Sequence, residues 1–462
     1  MAEPAAEAGS SDSLEGQIEQ WRSYLRRRQP IRPVDAEELE DHLRGEVAAL
    51  RGAGLSENEA FLVAVKRMGA LDAISNEFAR EHSERLWKQL VISSTGTVES
   101  PDPARTEAVV VFSLALAAAL AIKLPHLFGV EWGGAEADQR FYARNFSLFV
   151  LPLLTGYFVW KRQLPQRTWI WLAGGFAAAA FFANVYPFQP NADTEMLAAL
   201  HLPIALWLLV GIAYAGGRWR QTAGRMDFVR FSGELLIYYA LIALGGGVLL
   251  GLTAAMFGAI GIDFEPVFEN WLPCGVLGAV IVASWLVEAK QSVIENMAPV
   301  LTRLFTPLFA LALLTFLGTM IFTGRGIDIE RNALIAFDLV LVLVLGLLLY
   351  SISARDPEAP PGAFDLLLVV LLVSALVADA FALAAIGARI SEFGFTPNRV
   401  AALGENVILL GNLGWSTVLY VRFLRGSGSF AGLERWQTAY LPSYSVWAAI
   451  VVVGFPLVFG FD

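Results

Sequence analysis

The sequence predicts an all-α protein: a small helical bundle followed by a polytopic transmembrane bundle of about 11 spans. Three observations lead there. From about Thr106 to the end, apolar runs of roughly 18 to 25 residues recur, each long enough to cross the hydrocarbon core of a bilayer. The composition is 56% hydrophobic and only 16% charged, far from that of a soluble globular chain. The first hundred residues instead hold a large share of the charge, and their apolar residues recur at helical spacing.

The prefix begins with a tail, residues 1–12, whose Ala, Glu, Gly and Ser content predicts disorder. A helical domain is expected over 13–92. Leu14, Ile18, Trp21 and Leu25 share one face of a first helix that ends in Arg26, Arg27 and Arg28 ahead of Pro30. A second helix opens at Asp35, carries Leu39, Leu43, Val47 and Leu50, and stops at Gly54. A third has Ser56 as N-cap and Glu59 three residues on, a capping box, followed by Phe61, Val65 and Met68. A fourth runs from about Leu71 to Leu90. The arginine triplet is a candidate contact for anionic headgroups at the membrane surface. His42, with Glu38 and Glu46 on its helix face, has no second histidine or cysteine to complete a metal shell, so no metal site and no cofactor are expected.

The run Glu37, Glu38, Leu39, Glu40, Asp41, His42, Leu43, then Gly54, Leu55, Ser56, Glu57, Glu59, Ala60 and Arg67, Met68, Gly69, resembles the permease prefix domain. That helical module precedes the membrane part of many bacterial permease-like proteins, often encoded beside PadR-type transcriptional regulators. The resemblance implies a docking domain that contacts a cytosolic or membrane protein, and it implies no chemistry.

A linker, 93–105, rich in Ser, Thr, Gly and Pro, leads into the transmembrane domain, 106–462. Spans are expected at roughly 106–129, 142–160, 167–186, 196–216, 233–259, 271–288, 299–323, 332–353, 364–387, 399–421 and 443–460, the fifth long enough to tilt or break. One set of alternate loops is rich in Lys and Arg, from Lys161 and Arg162 through Arg218, Arg220, Arg225 and Arg230 to Arg422 and Arg425. The other has no basic residue near Asp193 or Asp263. The basic loops predict a cytosolic N-terminus, an outside C-terminus and residence in a bacterial inner membrane. No cleavable signal peptide is expected, since the first 30 residues lack an apolar core.

Residues Arg389, Ile390, Ser391, Glu392, Phe393, Gly394, Phe395, Thr396, Pro397, Asn398 and Arg399, with the apolar helix after them, resemble a bacterial polytopic membrane family known as domain of unknown function 4153. The likeness extends over most of 140–425, and the family implies no activity. In physical terms, Thr396 and Pro397 are N-cap and N1 of a helix. Its free amides, with Asn398 and Arg399 in the first turn and Arg389 across the loop, suit either an anion such as a headgroup phosphate or a plain structural cap flanked by snorkelling arginines.

Ionisable residues inside spans are costly and therefore candidate functional groups. Asp338, Asp379 and Glu405 lie on sequential spans at depths of roughly 9 to 14 Å at 1.5 Å per residue, and His201 sits at a similar depth on the fourth span. Two readings compete: these groups bind a cation, proton or polar substrate, or the acids pair with Arg389, Arg399 and backbone groups to fix helix packing. Glu234 and Glu288, near the inner ends of their spans, are expected to reach water. Glycine pairs such as Gly247 and Gly251 or Gly275 and Gly278 are expected to admit close helix approach.

A net charge of −10 argues against direct nucleic-acid binding, and the single cysteine, Cys274, rules out an intramolecular disulfide or a thiolate zinc site. No GxxxxGK[ST], HExxH, CxxC or GxSxG occurs, so no catalytic residue is assigned, although Glu131, Glu136 and Asp138 gather in the first outer loop. The residues therefore point to a sensor, regulatory or ligand-binding membrane protein, with a secondary transporter as the alternative and a membrane-embedded transferase behind both. The sequence leaves ligand, partner and oligomeric state open.

Overall fold

A computed structural model describes residues 14–18, 21, 33–52, 54–68, 103–190, 192–259, 263, 265–289, 298–323 and 331–461. The expected disordered tail, the arginine triplet Arg26 to Arg28, the fourth prefix helix and most of the linker lie outside these residues. The chain divides into two compact units, Met1–Pro101 and Asp102–Asp462.

In the first unit, helical residues 14–18 join α1 (Pro33–Gly52) and α2 (Glu57–Met68). Ile18, Trp21, Leu43, Val47, Leu50, Phe61 and Val65, the apolar face read from the sequence, form its core with Ala60 and Ala64. Arg44 clasps Glu15 through two nitrogens at 2.6 and 2.8 Å and ties the first helix to α1. The capping box forms as expected: the Ser56 amide and hydroxyl donate to Glu59 Oε2 at 3.0 and 2.7 Å, and the Glu59 amide donates to Ser56 Oγ.

Those two donors hold the Glu59 carboxyl below its ordinary value, the hydroxyl contributing most. A lowered folded value makes this contribution fully present above the unfolded value and lost as pH falls through the lowered one. In the full-length protein, Ser56→Ala should therefore speed amide exchange at the start of α2 at pH 6 and have less effect near pH 3. Equal effects at both pH values would remove the carboxylate from the account.

The second unit is helical throughout its described elements: α3 (Pro103–Ala121), α4 (Glu136–Lys161), α5 (Gln166–Val185), α6 (Asp193–Tyr214), α7 (Thr222–Ala259), α8 (Glu265–Ala289), α9 (Ala298–Thr323), α10 (Arg331–Ala354), α11 (Ala363–Phe393), α12 (Pro397–Leu424) and α13 (Phe430–Phe459). A short 3₁₀ turn, Leu124–Phe128, follows α3. Each expected span has its helix. By length and composition, nine helices among the described residues could cross a membrane, and α10 contributes a shorter apolar stretch, Asp338–Ala354. The remaining helix, α4, carries Arg140 and Arg144 beside its apolar residues. Large apolar side chains on the outside of the unit, among them Leu116, Leu244, Leu311 and Val446, require lipid as solvent.

Two hydrophobic cores organise this unit. One gathers α3 to α6 with α8, and the other α9 to α12. The first half of α7 and the length of α13 border both, α7 packing on α8 and α10, and α13 on α6 and α12. The long seventh helix does not break. Its buried residues all lie between Gly224 and Leu235, while Leu236, Leu244, Leu252 and Met256 are exposed. Of the four glycines expected to admit close helix approach, Gly247, Gly251, Gly275 and Gly278, one does so. A Cβ at Gly247, Gly251 or Gly275 would meet nothing within 4 Å, whereas one at Gly278 would stand 3.1 Å from the Ala115 carbonyl, where α8 returns to α3.

A polar seam joins α12 and α13 in the interior. Asn412 donates to Gln437 Oε1 at 3.0 Å and to the Tyr444 hydroxyl at 2.6 Å. Gln437 donates back to Asn412 Oδ1 at 2.9 Å and to Ser416 Oγ at 2.6 Å. Asn412, Ser416 and Gln437 are wholly buried. Because these donors and acceptors satisfy one another, Gln437→Leu should lower stability by about 1–2 kcal/mol. Thermal unfolding in detergent would show it, and an unchanged midpoint would mean that the amides find other partners.

Candidate functional site

Four helices bring His201, Glu405, Asp338 and Asp379 near one another, some in contact and others within electrostatic range. His201, on α6, is buried. Its Nδ1 lies 2.8 Å from the Leu197 carbonyl, an acceptor, so this nitrogen carries a proton. Nε2 faces Glu405 Oε1 of α12 at 2.5 Å. An imidazole nitrogen and a carboxylate oxygen thus stand at hydrogen-bond distance across α6 and α12.

The next residue on α12, Asn406, points to a different neighbour. Its Nδ2 donates to Asp338 Oδ1 of α10 at 2.8 Å and to the Ala402 carbonyl at 2.8 Å. Successive residues on one helix thus reach α6 and α10, and Asp338 lies within electrostatic range of both Glu405 and Asp379. Asp379, on α11, is 0% exposed. Among the described residues neither of its oxygens has a hydrogen-bond partner, and Asn406 Oδ1 also lacks one. A carboxyl with no donor on either oxygen is satisfied by its own proton, a bound cation or a polar ligand.

The turn between α11 and α12 has a different character. Thr396 caps α12, accepting the Arg399 amide at 3.4 Å, with Pro397 at N1. Gly394 ends α11 at φ +76°, a conformation that favours glycine, and its amide donates to the Ile390 carbonyl. Arg399 Nη1 donates to the carbonyls of Phe393 and Gly394 at 3.1 and 2.8 Å, so the guanidinium braces this turn. Arg389 and Asn398 are half-buried nearby. Neither arginine forms an ion pair with Asp338, Asp379 or Glu405 among the described residues.

Other polar groups were not singled out in the sequence. Glu195, at the start of α6, accepts Arg144 at 2.6 Å and Arg140 at 3.0 Å, both from α4. It escaped notice because the fourth span was expected to start one residue later, whereas α6 opens at Asp193. Asn406 is an amide inside the tenth expected span, whereas Gln437 lies ahead of the last expected span, 443–460. Glu234, expected to reach water, is buried instead, and the side chain of Glu288, with the same expectation, is enclosed and pairs with Lys161 at 3.3 Å and Arg162 at 2.9 Å. In the loop that holds Glu131, Glu136 and Asp138, Asp138 accepts the Glu131 amide at 3.2 Å. Among the described residues, no group of three or more His, Cys, Asp or Glu side chains is placed to hold a metal ion.

The fold and its buried polar chain define a multi-pass α-helical membrane protein in a lipid bilayer. Over 106 residues, 21% of its length, the chain is 33% identical to a UPF0060 membrane protein of Streptomyces coelicolor, and the match spans 92% of that protein. Over that stretch the chain belongs to the UPF0060 membrane proteins; most of the chain lies outside it. No family model and no solved structure matches the chain.

Proposed function

We propose that this chain is a bacterial inner-membrane sensor or regulatory protein, which binds a proton, monovalent cation or small polar ligand inside the bilayer and docks a protein partner through its N-terminal unit. The observation that supports the first part is Asp379, wholly buried, with both oxygens unpartnered among the described residues and within electrostatic range of Asp338. The resemblance of residues 14–90 to the permease prefix domain supports the second. The basic loops support a cytosolic N-terminus.

A second reading is a proton-coupled secondary transporter, favoured by the contact between His201 and Glu405, an imidazole–carboxylate pair inside the membrane-spanning helices. Full-length protein and Asp379→Asn, reconstituted in liposomes with an internal pH dye, separate the two. A solute-dependent proton flux that the substitution abolishes establishes transport. Binding without flux, together with a co-purifying protein that is lost on deleting residues 1–95, establishes the sensor. Neither binding nor flux, with wild-type behaviour in Asp379→Asn, would sink both.

A further inference from the structure

A second polar site occupies the other end of the second unit, where α4, α6 and α8 finish and α7 begins. There a cavity of about 200 Å³ is lined by Arg162, Arg218 and Arg230 together with Asp227 and Glu234. Tyr214 and Phe231, stacked with ring centroids 4.5 Å apart, complete its wall.

Each guanidinium is held from one side. Arg162 donates through Nε to the Tyr214 carbonyl at 3.2 Å and through Nη2 to Glu288 at 2.9 Å. Arg230 donates through Nε and Nη2 to the Ser353 carbonyl at 3.2 and 2.6 Å. Arg218 donates through Nη2 to Asp227 at 3.2 Å. A guanidinium carries five N–H groups in a planar fork. These contacts use only part of each fork, fixing the arginines without exhausting them. A network with a purely structural role closes on itself; this one surrounds open volume.

We infer that the cavity binds a zwitterionic phosphate, a phosphate ester bearing an ammonium group, as in phosphoethanolamine. The phosphate is recognised by the guanidinium forks, whose planar donors match its oxygens. The ammonium is recognised by the Asp227 and Glu234 carboxylates. Three cationic and two anionic side chains make the lining bipolar, so a ligand carrying both signs finds an opposite charge for each of its ends. The volume is below the range of pockets for drug-sized ligands, which limits the ligand to a headgroup-sized molecule. The cavity lies at helix ends, the level at which lipid headgroups sit, so the same chemistry can arrive on a lipid or free in solution.

The test uses the full-length protein in detergent. Native mass spectrometry after exchange into phosphatidylethanolamine or phosphatidylglycerol reads the lipid, and calorimetric titration with phosphoethanolamine, inorganic phosphate and ethanolamine reads the free solute. Preferential retention of phosphatidylethanolamine, reduced about tenfold in Arg218→Gln, supports a lipid headgroup. Saturable phosphoethanolamine binding without lipid preference, weakened likewise, supports a free solute. Arg218 is half exposed, so its substitution spares folding; Asp227→Asn, which removes a charge from the ammonium side, should weaken phosphoethanolamine while leaving phosphate unchanged. Equal retention of both lipids with no phosphoethanolamine binding, or phosphate binding as tight as phosphoethanolamine, would overturn the assignment.

Discussion

Asp379→Leu is expected to raise the thermal midpoint of the protein by a few degrees while eliminating ligand or cation binding at the intramembrane site. The carboxyl is 0% exposed and has no partner on either oxygen among the described residues. Around it are Ala375, Ala378 and Ala382, all buried. Exchanging an unsatisfied buried polar group for an apolar one of similar size removes a penalty of about 1–3 kcal/mol. A residue retained at a cost to stability is the mark of a functional group, since activity and stability commonly pull apart at such sites. Asp379→Asn separates the two effects, because it keeps the shape and a polar oxygen while losing the charge. Differential scanning fluorimetry in detergent reads stability and titration with sodium or protons reads binding. A lower midpoint in Asp379→Leu would mean that the carboxyl has a structural partner after all.

The largest loss of stability is expected for Glu195→Ala. Glu195 is the shared anion of Arg140 and Arg144, at 3.0 and 2.6 Å, and its side chain is only 6% exposed. The two guanidiniums are themselves largely enclosed. Removing the carboxylate leaves two like charges side by side with nothing between them, and breaking a buried ion pair in this way costs about 3–5 kcal/mol. Partial water access to Arg140 places the effect at the lower end, about 3 kcal/mol. Combining Glu195→Leu with Arg140→Met and Arg144→Met should recover most of the loss, because it removes the stranded charges as well as their partner. A midpoint for Glu195→Ala within a degree of wild type would show that the arginines are satisfied by solvent.

Both residues illustrate what can be read from a chain of this kind. Asp379 stands out in an apolar run, as do Asp338, Glu405 and His201, because hydrocarbon tolerates so few ionisable groups that each one is conspicuous. Glu195 did not stand out, because a span's boundary is blurred by one or two residues and a carboxylate at the edge looks like a loop residue. Pairing is another matter. The sequence offered Arg389 and Arg399, standing above the acids at the outer edge of the membrane, as partners for them. In the structure Arg399 is taken by the carbonyls of Phe393 and Gly394, and Glu405 meets His201, 204 residues away.

The helices themselves follow from local chemistry. Apolar runs of spanning length, Pro397 after Thr396, glycine at position 394, and Ser56 with Glu59 all act within a few residues, so the number, order and approximate ends of the helices are written along the chain. Which helix faces which is not. Glycines at 247 and 251 look as suitable for helix approach as the one at 278, yet only the last has a neighbour, the Ala115 carbonyl. Lipid tails are as apolar as leucine, so an apolar helix surface does not say whether it meets lipid or protein. Only the tertiary arrangement decides that, and with it which embedded polar groups acquire partners and which, like Asp379 among the described residues, are left without one.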